Sequence, residues 1–162
     1  MKINHPLMHN NFIKSDMDSV RKLIKNKNLI LTQSKNVIEF EKKWSKWLGC
    51  KYSVFVNSGS SANLLSISCL KYIKINKKKN EIIVPPLTWS SDINSIIHNG
   101  FKPVFVDINR NSLSMDPDKI IKKINKNTLA VFITHAQGFN GIKKKILKFL
   151  KKKKIYLIED VC

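Results

Sequence analysis

The stretch "VNSGSSANLL", residues 56–65, marks the point where one structural pattern gives way to another. Before it, the apolar run Tyr52–Val56 is typical of a buried strand. After it, apolar side chains recur at helical spacing from Ala62 to Ile73. A glycine and three serines therefore lie where a predicted strand passes into a predicted helix.

The same alternation continues to the end of the chain and decides the fold class. The predicted strands are Tyr52–Val56, Glu81–Val84, Pro103–Asp107, Leu129–Thr134 and Ile155–Asp160. The predicted helices between them are Ser60–Ile75, Ser91–His98, Pro117–Ile124 and Lys143–Leu150. Short, continuous apolar strands that alternate with helices predict an α/β fold, with a mostly parallel sheet flanked by helices.

The first 50 residues predict a separate helical segment, and residues 51–162 predict an incomplete α/β domain. One helix is expected over residues 16–25 with Ser15 as its N-cap, and a second over residues 35–48 with Gly49 as its left-handed stop. Asp116 before Pro117 is a good N-cap and first-turn pair. Because the chain stops directly after a predicted strand, we expect it to be a fragment of a longer domain.

The composition is that of a globular protein with an unusual charge. The chain has 162 residues, 43% of them hydrophobic, and a formal net charge of +19. We interpret the lysine runs as a solvated surface with compositional drift; the alternative is a face that binds a polyanion. Three dispersed cysteines and four scattered histidines indicate no metal site, and apolar runs of strand length indicate no membrane span. A cytoplasmic location is the default expectation.

The residues that follow each strand matter because open parallel sheets bind ligands beyond the carboxyl ends of their strands. Gly59 lets the backbone approach a ligand closely, and Ser60 and Ser61 add hydroxyl donors at a helix N-terminus, which favours anions. The stretch matches neither the Walker nor the GxGxxG pattern, so a small monophosphate is favoured over a nucleotide. A plain N-cap by Ser58 explains this stretch equally well.

Two residues at the ends of other predicted strands indicate which ligand would carry the phosphate expected at Gly59–Ser61. Trp89 follows two prolines after a strand, where an indole is better suited to stacking on a flat ring than to a core. Asp160, on the last strand, is expected at the same edge, where a carboxylate could hold a ring nitrogen protonated. A phosphate cradle, a stacking face and a carboxylate for a pyridinium together describe pyridoxal 5'-phosphate (PLP). Taken singly, Asp160 could instead cap the next helix and Trp89 could fill a gap at the surface.

Several longer segments extend this interpretation. "SVFVNSGSSANLL", "EIIVPPLTWSSDINSIIHNGFKPVFVDI" and "IYLIEDVC", preceded by "LTQSKNVIEFEKKWSKWLGCKYSVF", resemble the DegT/DnrJ/StrS family of PLP-dependent sugar aminotransferases and dehydratases. The resemblance covers essentially the whole chain. It implies the N-terminal part of the aspartate-aminotransferase-like fold (fold type I). It also implies a homodimer with active sites at its interface, a nucleotide-linked keto-deoxysugar as substrate, and a role in polysaccharide biosynthesis.

The resemblance also assigns residues by position. It implies phosphate contacts at Gly59, Ser60 and Ser61, ring stacking by Trp89, and a bond from Asp160 to the pyridine nitrogen. His135, within "THAQGFNG", is a further candidate near the cofactor, although a structural histidine at a strand end explains it at least as well.

The catalytic position itself is expected beyond Cys162, so the chain as given should be inactive. In aminotransferases of the family a lysine there forms the Schiff base and glutamate supplies the nitrogen. In the C3-dehydratases a histidine there acts as a base. The segments "SGSSANLL" and "PPLTWSSD" favour the dehydratase branch. The competing hypotheses are a basic α/β module that binds RNA or another polyanion through its lysine runs, and a non-catalytic remnant.

Overall fold

The computed structural model describes residues 9–73 and 79–162. The chain forms two compact units, Met1–Phe55 and Val56–Cys162. The last two residues of the predicted helix Ser60–Ile75, Lys74 and Ile75, lie outside the described residues.

The first unit contains two helices, α1 (Lys14–Ile24) and α2 (Lys35–Leu48). The structure confirms α2 at its predicted bounds, and Gly49 ends it with a left-handed φ of 75°. The prediction of Ser15 as the N-cap of the first helix was wrong. The cap is Ile13, because its backbone N–H donates to the Asp16 carboxylate at 3.1 Å and starts the helical turn earlier.

The predicted strand Tyr52–Val56 was also wrong. Residues 52–56 have no strand partner in the described parts of the chain. An extended apolar run becomes a strand only when a neighbouring backbone accepts and donates its hydrogen bonds. Here the Phe55 backbone N–H donates instead to the side chain of Glu41, at 2.8 Å.

The second unit contains a four-stranded sheet in which every pair of neighbouring strands is parallel. Its strands are β1 (Glu81–Val84), β2 (Lys102–Phe105), β3 (Thr128–Thr134) and β4 (Tyr156–Asp160). Its helices are α3 (Gly59–Tyr72), α4 (Ser90–His98), α5 (Pro117–Lys123) and α6 (Lys144–Lys153). These elements confirm the α/β prediction, with the predicted bounds shifted by at most a few residues.

Each face of the sheet carries its own apolar core. On one face, α3 and α4 pack on the sheet through Ile67, Leu70, Ile96, Ile82, Val84 and Phe132. On the other, α5 and α6 pack on it through Ile120, Ile146, Leu150, Ile83, Val131 and Ile133. Along β4, Ile158 packs with the first core and Leu157 with the second. Because side chains alternate along a strand, Asp160 shares the α3/α4 face with Ile158.

The strand order β2-β1-β3-β4 places a reversal of direction between β1 and β3. The connection from β1 to β2 runs through α4 on one face, whereas those from β2 to β3 and from β3 to β4 run through α5 and α6 on the other. In open parallel sheets, ligands bind at the carboxyl edge next to such a switch point. The crevice beyond β1 and β3 is therefore where a ligand site is expected.

The start of α5 provides a test of the local signals. The Asp116 carboxylate accepts hydrogen bonds from the backbone N–H groups of Asp118 and Lys119, at 2.8 and 3.1 Å, and Pro117 occupies the first helical position. Asp116→Ala is expected to lower the free energy of unfolding by about 1 kcal/mol, because two N–H groups lose their acceptor. Asp116→Asn retains the acceptor and should stay close to wild type in the same urea titration; equal losses in both variants would contradict the capping role.

Candidate cofactor site

The N-terminus of α3 lies at the carboxyl edge of the sheet and is capped as predicted for Ser58. The Ser58 hydroxyl oxygen accepts a hydrogen bond from the Ser61 backbone N–H at 3.2 Å. The Ser61 hydroxyl in turn donates to the Asn57 side chain at 2.7 Å. The cap is therefore a small closed network, and the Ser61 hydroxyl already uses its proton within it.

The two residues next to this cap keep their donors available. Within residues 9–73 and 79–162, the backbone N–H groups of Gly59 and Ser60 and the Ser60 hydroxyl have no hydrogen-bond partner. A Cβ built on Gly59 would meet nothing within 4 Å, and its φ lies outside the left-handed region. Neither packing within the chain nor backbone conformation therefore requires a glycine here, whereas close approach of a ligand to the backbone would.

Asp160 is held at the end of β4 by a residue of α3. The Asn63 amide nitrogen donates to one carboxylate oxygen of Asp160 at 3.0 Å. The other carboxylate oxygen accepts from the Cys162 backbone N–H at 3.3 Å. Since Asn63 lies one turn after Gly59 in α3, this bond joins the helix N-terminus and the strand end in one site.

Asp92, which the sequence analysis did not select, is the most buried carboxyl group at this edge, with no exposed surface. It lies in the first turn of α4, and its Oδ1 accepts from the Asn63 amide nitrogen at 2.7 Å. Its Oδ2 accepts from the Thr134 hydroxyl at 2.9 Å and is also in contact with the Thr88 hydroxyl. One amide nitrogen thus bridges the carboxyl groups of Asp92 and Asp160.

The environment of Asp92 shifts the pKa of its carboxyl group. Burial raises the pKa of the Asp92 carboxyl above its ordinary value, because removal of water penalises the charge. Hydrogen bonds from Thr88, Thr134 and Ser91 act in the opposite direction, and the neighbouring Asp160 adds to the rise. The net effect is that the pKa of Asp92 lies above its ordinary value.

Trp89 is the N-cap residue of α4 and lies three residues before Asp92. Its side chain is 68% exposed, and its backbone carbonyl accepts from the Asp92 N–H at 3.1 Å. The indole therefore does not belong to the cores of the described residues, and its stacking role stays a prediction. An exposed indole beside the switch point remains available for a planar ligand.

His135 follows β3 and is held from several sides. Its Nε2 lies 3.1 Å from the Glu159 carboxylate, and its Nδ1 accepts from the Gly141 backbone N–H at 3.3 Å. Its own backbone N–H donates to the Asp160 carbonyl at 3.0 Å. These bonds give His135 a structural part in joining β3 to β4, so a role toward a cofactor stays a prediction.

The arrangement can be compared with that of known proteins. Residues 11–162 match the DegT/DnrJ/EryC1/StrS aminotransferase family. The chain belongs to this family. The family resemblance inferred from the sequence motifs is thereby confirmed, and so is the fold.

Among the relatives is a GDP-4-keto-6-deoxy-D-mannose 3-dehydratase of Yersinia pseudotuberculosis, 33% identical over 99% of this chain and 41% of the relative. The spore coat polysaccharide biosynthesis protein SpsC of Bacillus subtilis is 35% identical over 80% of this chain and 32% of the relative. The structure of Escherichia coli GDP-4-keto-6-deoxy-D-mannose-3-dehydratase with bound hydrated PLP superposes with a TM-score of 0.90. It is 31% identical and is matched over 100% of this chain and 42% of its own. The chain thus spans about two fifths of these dehydratases.

The described residues contain neither a metal-binding cluster nor a membrane-spanning helix. No group of three or more His, Cys, Asp or Glu side chains in that part of the chain is arranged to hold a metal ion. No helix there is both long enough and apolar enough to cross a membrane.

Proposed function

We propose that the complete protein is a PLP-dependent enzyme that acts on a nucleotide-linked 4-keto-deoxysugar. The observation that carries the proposal is the position of Asp160, whose carboxylate is held by Asn63 one helical turn from the free donors of Gly59 and Ser60. A carboxylate and an anion-binding helix N-terminus within one edge of a sheet fit the two ends of PLP.

The residues present fit the cofactor in chemical type as well as in placement. Gly59 and Ser60 would bind the phosphate through backbone N–H groups and a hydroxyl, with Ser61 joining if its hydroxyl leaves Asn57. Trp89 would cover one face of the ring, and Asp160 would hold the ring nitrogen in its protonated form. When bound, PLP supplies an electron sink for carbanion chemistry. His135, held between Glu159 and Gly141, would limit the movement of the β3 end next to the ring.

The reaction depends on a residue that the family resemblance predicts beyond Cys162. A lysine there would favour transfer of nitrogen from glutamate to the keto sugar, and a histidine would favour loss of the C3 hydroxyl. We favour the dehydratase branch for two reasons. The segments "SGSSANLL" and "PPLTWSSD" resemble that branch, and two of the relatives are 3-dehydratases.

The test is to incubate the complete protein with PLP, glutamate and GDP- or dTDP-linked 4-keto-6-deoxysugars and to identify the products by mass spectrometry. A product that has lost the C3 hydroxyl supports the dehydratase, and an amino sugar supports the aminotransferase. Failure to bind PLP would contradict the proposal and support the non-catalytic remnant.

Trp89 allows a test of the stacking contact without loss of the fold. Because its side chain is 68% exposed, Trp89→Ala should leave the unfolding transition in place. Loss of an aromatic stacking partner is expected to weaken PLP affinity by about tenfold, measured by fluorescence titration. Trp89→Phe retains a ring and should recover most of the affinity; equal affinity of Trp89→Ala and wild type would exclude Trp89 from the site.

We also propose that the complete protein acts in the cytoplasm as a homodimer. The observation that supports the homodimer is the apolar surface of α2, where Phe40, Trp44 and Trp47 are 46%, 45% and 75% exposed. Adjacent exposed aromatic side chains are typical of a surface that another chain covers. Sedimentation equilibrium of the complete protein checks this, and a monomer at micromolar concentration would contradict it.

A further inference from the structure

The carboxyl group of Asp92 takes part in a ring of three oxygen atoms. Its Oδ2 contacts the hydroxyls of Thr88 and Thr134, and these two hydroxyl oxygens lie 2.6 Å from each other. Thr88 follows β1 and Thr134 ends β3, so the ring closes over the switch point of the sheet.

The number of protons in this ring decides the charge of Asp92. Three oxygen–oxygen contacts require three protons if each is a hydrogen bond, and the two threonine hydroxyls supply only two. With Asp92 ionised, one contact would bring two oxygens together with no proton between them. A proton on Asp92 Oδ2 completes the ring, so that each of the three groups donates once and accepts once.

The bonds on the other side of Asp92 are compatible with a neutral acid. Its Oδ1 remains an acceptor for the Asn63 amide nitrogen, whose second hydrogen is donated to Asp160. Two ionised carboxylates that share one neutral amide would repel each other, whereas one acid and one carboxylate do not. The negative charge of the pair then belongs to Asp160.

We propose that Asp92 is a positioning residue, held as the neutral acid in a closed hydrogen-bonded ring with Thr88 and Thr134, which through Asn63 fixes the carboxylate of Asp160. The charge state follows from the contacts of this chain alone; the consequence for a cofactor at Asp160 rests on the proposed function. The upward pKa of Asp92 agrees with this charge state.

The groups around Asp92 leave one titratable neighbour to consider. The described elements packed against it contribute Asn63 from α3, Ser91 from α4, Thr134 from β3 and Asp160 from β4. Of these, only Asp160 carries an ionisable side chain. If Asp92→Asn changes how the stability of the protein depends on pH, the change is therefore due to Asp92 and Asp160 together.

The first test compares wild type with Asp92→Asn in urea unfolding of the complete protein without PLP, from pH 4 to pH 7. Asparagine has the shape of the neutral acid and no charge. Its amide NH2 can donate to the hydroxyl oxygens of both threonines, so that each of the three contacts still holds a hydrogen. An Asp92 that is protonated when folded and ionised when unfolded makes the wild type less stable as pH rises above the ordinary value of 3.8. The folded-to-unfolded ratio of Asp92→Asn should therefore rise relative to wild type, by up to about tenfold per pH unit.

A flat or falling ratio would overturn the proposal that Asp92 is a neutral acid, and so would failure of Asp92→Asn to fold.

The second test measures PLP affinity. Asp92→Asn should bind within about threefold of wild type, because it preserves the acceptor for Asn63. Asp92→Leu, which cannot accept that bond, should bind at least about tenfold more weakly. Wild-type affinity in Asp92→Leu would overturn the positioning role. Absence of PLP binding by wild type would instead overturn the proposed function and leave the first test decisive for Asp92.

Discussion

Asp160→Ala in the complete protein is expected to lower turnover by at least about a hundredfold while leaving the fold intact. The expected size is that of removing one electrostatic contact made in the transition state. In the proposed site the Asp160 carboxylate would hold the ring nitrogen of PLP in its protonated form, and the alanine variant would have no group to do so. The measurement is turnover with the keto-sugar substrate at saturating PLP.

The fold should tolerate this change because β4 packs into the two cores through Leu157 and Ile158, which keep their contacts. Asn63 loses one acceptor but keeps Asp92, at 2.7 Å. Asp160→Asn is the isosteric companion, since it removes only the charge, and it should lose turnover to a similar extent. Asp107→Asn is the matched control, because Asp107 also follows a strand at the carboxyl edge but is exposed and paired with Lys119. Full activity in Asp160→Ala would contradict the assignment.

Local signals were sufficient for most of the fold. The strand and helix alternation, the Gly49 stop and the Asp116–Pro117 start depend on residues close in sequence, so the sequence alone predicted them. The prediction of a strand over residues 52–56 was wrong, because a strand forms only with a partner strand, and local sequence does not specify that partner. The run has strand-like composition without a neighbour in the described sheet.

The site was predicted where it follows from strand ends and missed where it depends on tertiary contacts. Asn63 lies 29 residues from Asp92 and 97 from Asp160. No local sequence pattern predicts that one amide nitrogen donates hydrogen bonds to both carboxyl groups. A weaker signal was nevertheless present. Asn63 shares the buried face of α3 with Ile67, and Asp92 shares that of α4 with Ile96. A polar residue on an apolar helix face must find a partner, which marks both positions for attention.

Gly59→Asp is expected to separate phosphate binding from folding, because it should weaken binding without lowering stability. The substitution meets no steric obstacle, since a Cβ at Gly59 has nothing within 4 Å. A carboxylate in the first turn of α3 interacts favourably with the helix dipole, so stability should be unchanged or slightly higher. The same carboxylate would repel a phosphate bound to the free N–H groups, by about 3 kcal/mol per pair of unit charges at roughly 5 Å. Affinity should therefore fall by about a hundredfold or more.

The measurement that isolates this effect uses pyridoxamine phosphate, which carries the phosphate but no aldehyde and so reports binding without covalent attachment. Gly59→Asn has nearly the same shape as Gly59→Asp without its charge, so both variants share any steric cost of the added side chain. Gly59→Asn should therefore bind at least about tenfold more tightly than Gly59→Asp. Pyridoxamine, which lacks the phosphate, should bind both variants alike, because the repulsion requires two charges. If Gly59→Asp and Gly59→Asn bound pyridoxamine phosphate equally well, the phosphate would lie elsewhere, and the N-terminus of α3 would be a capped helix end and nothing more.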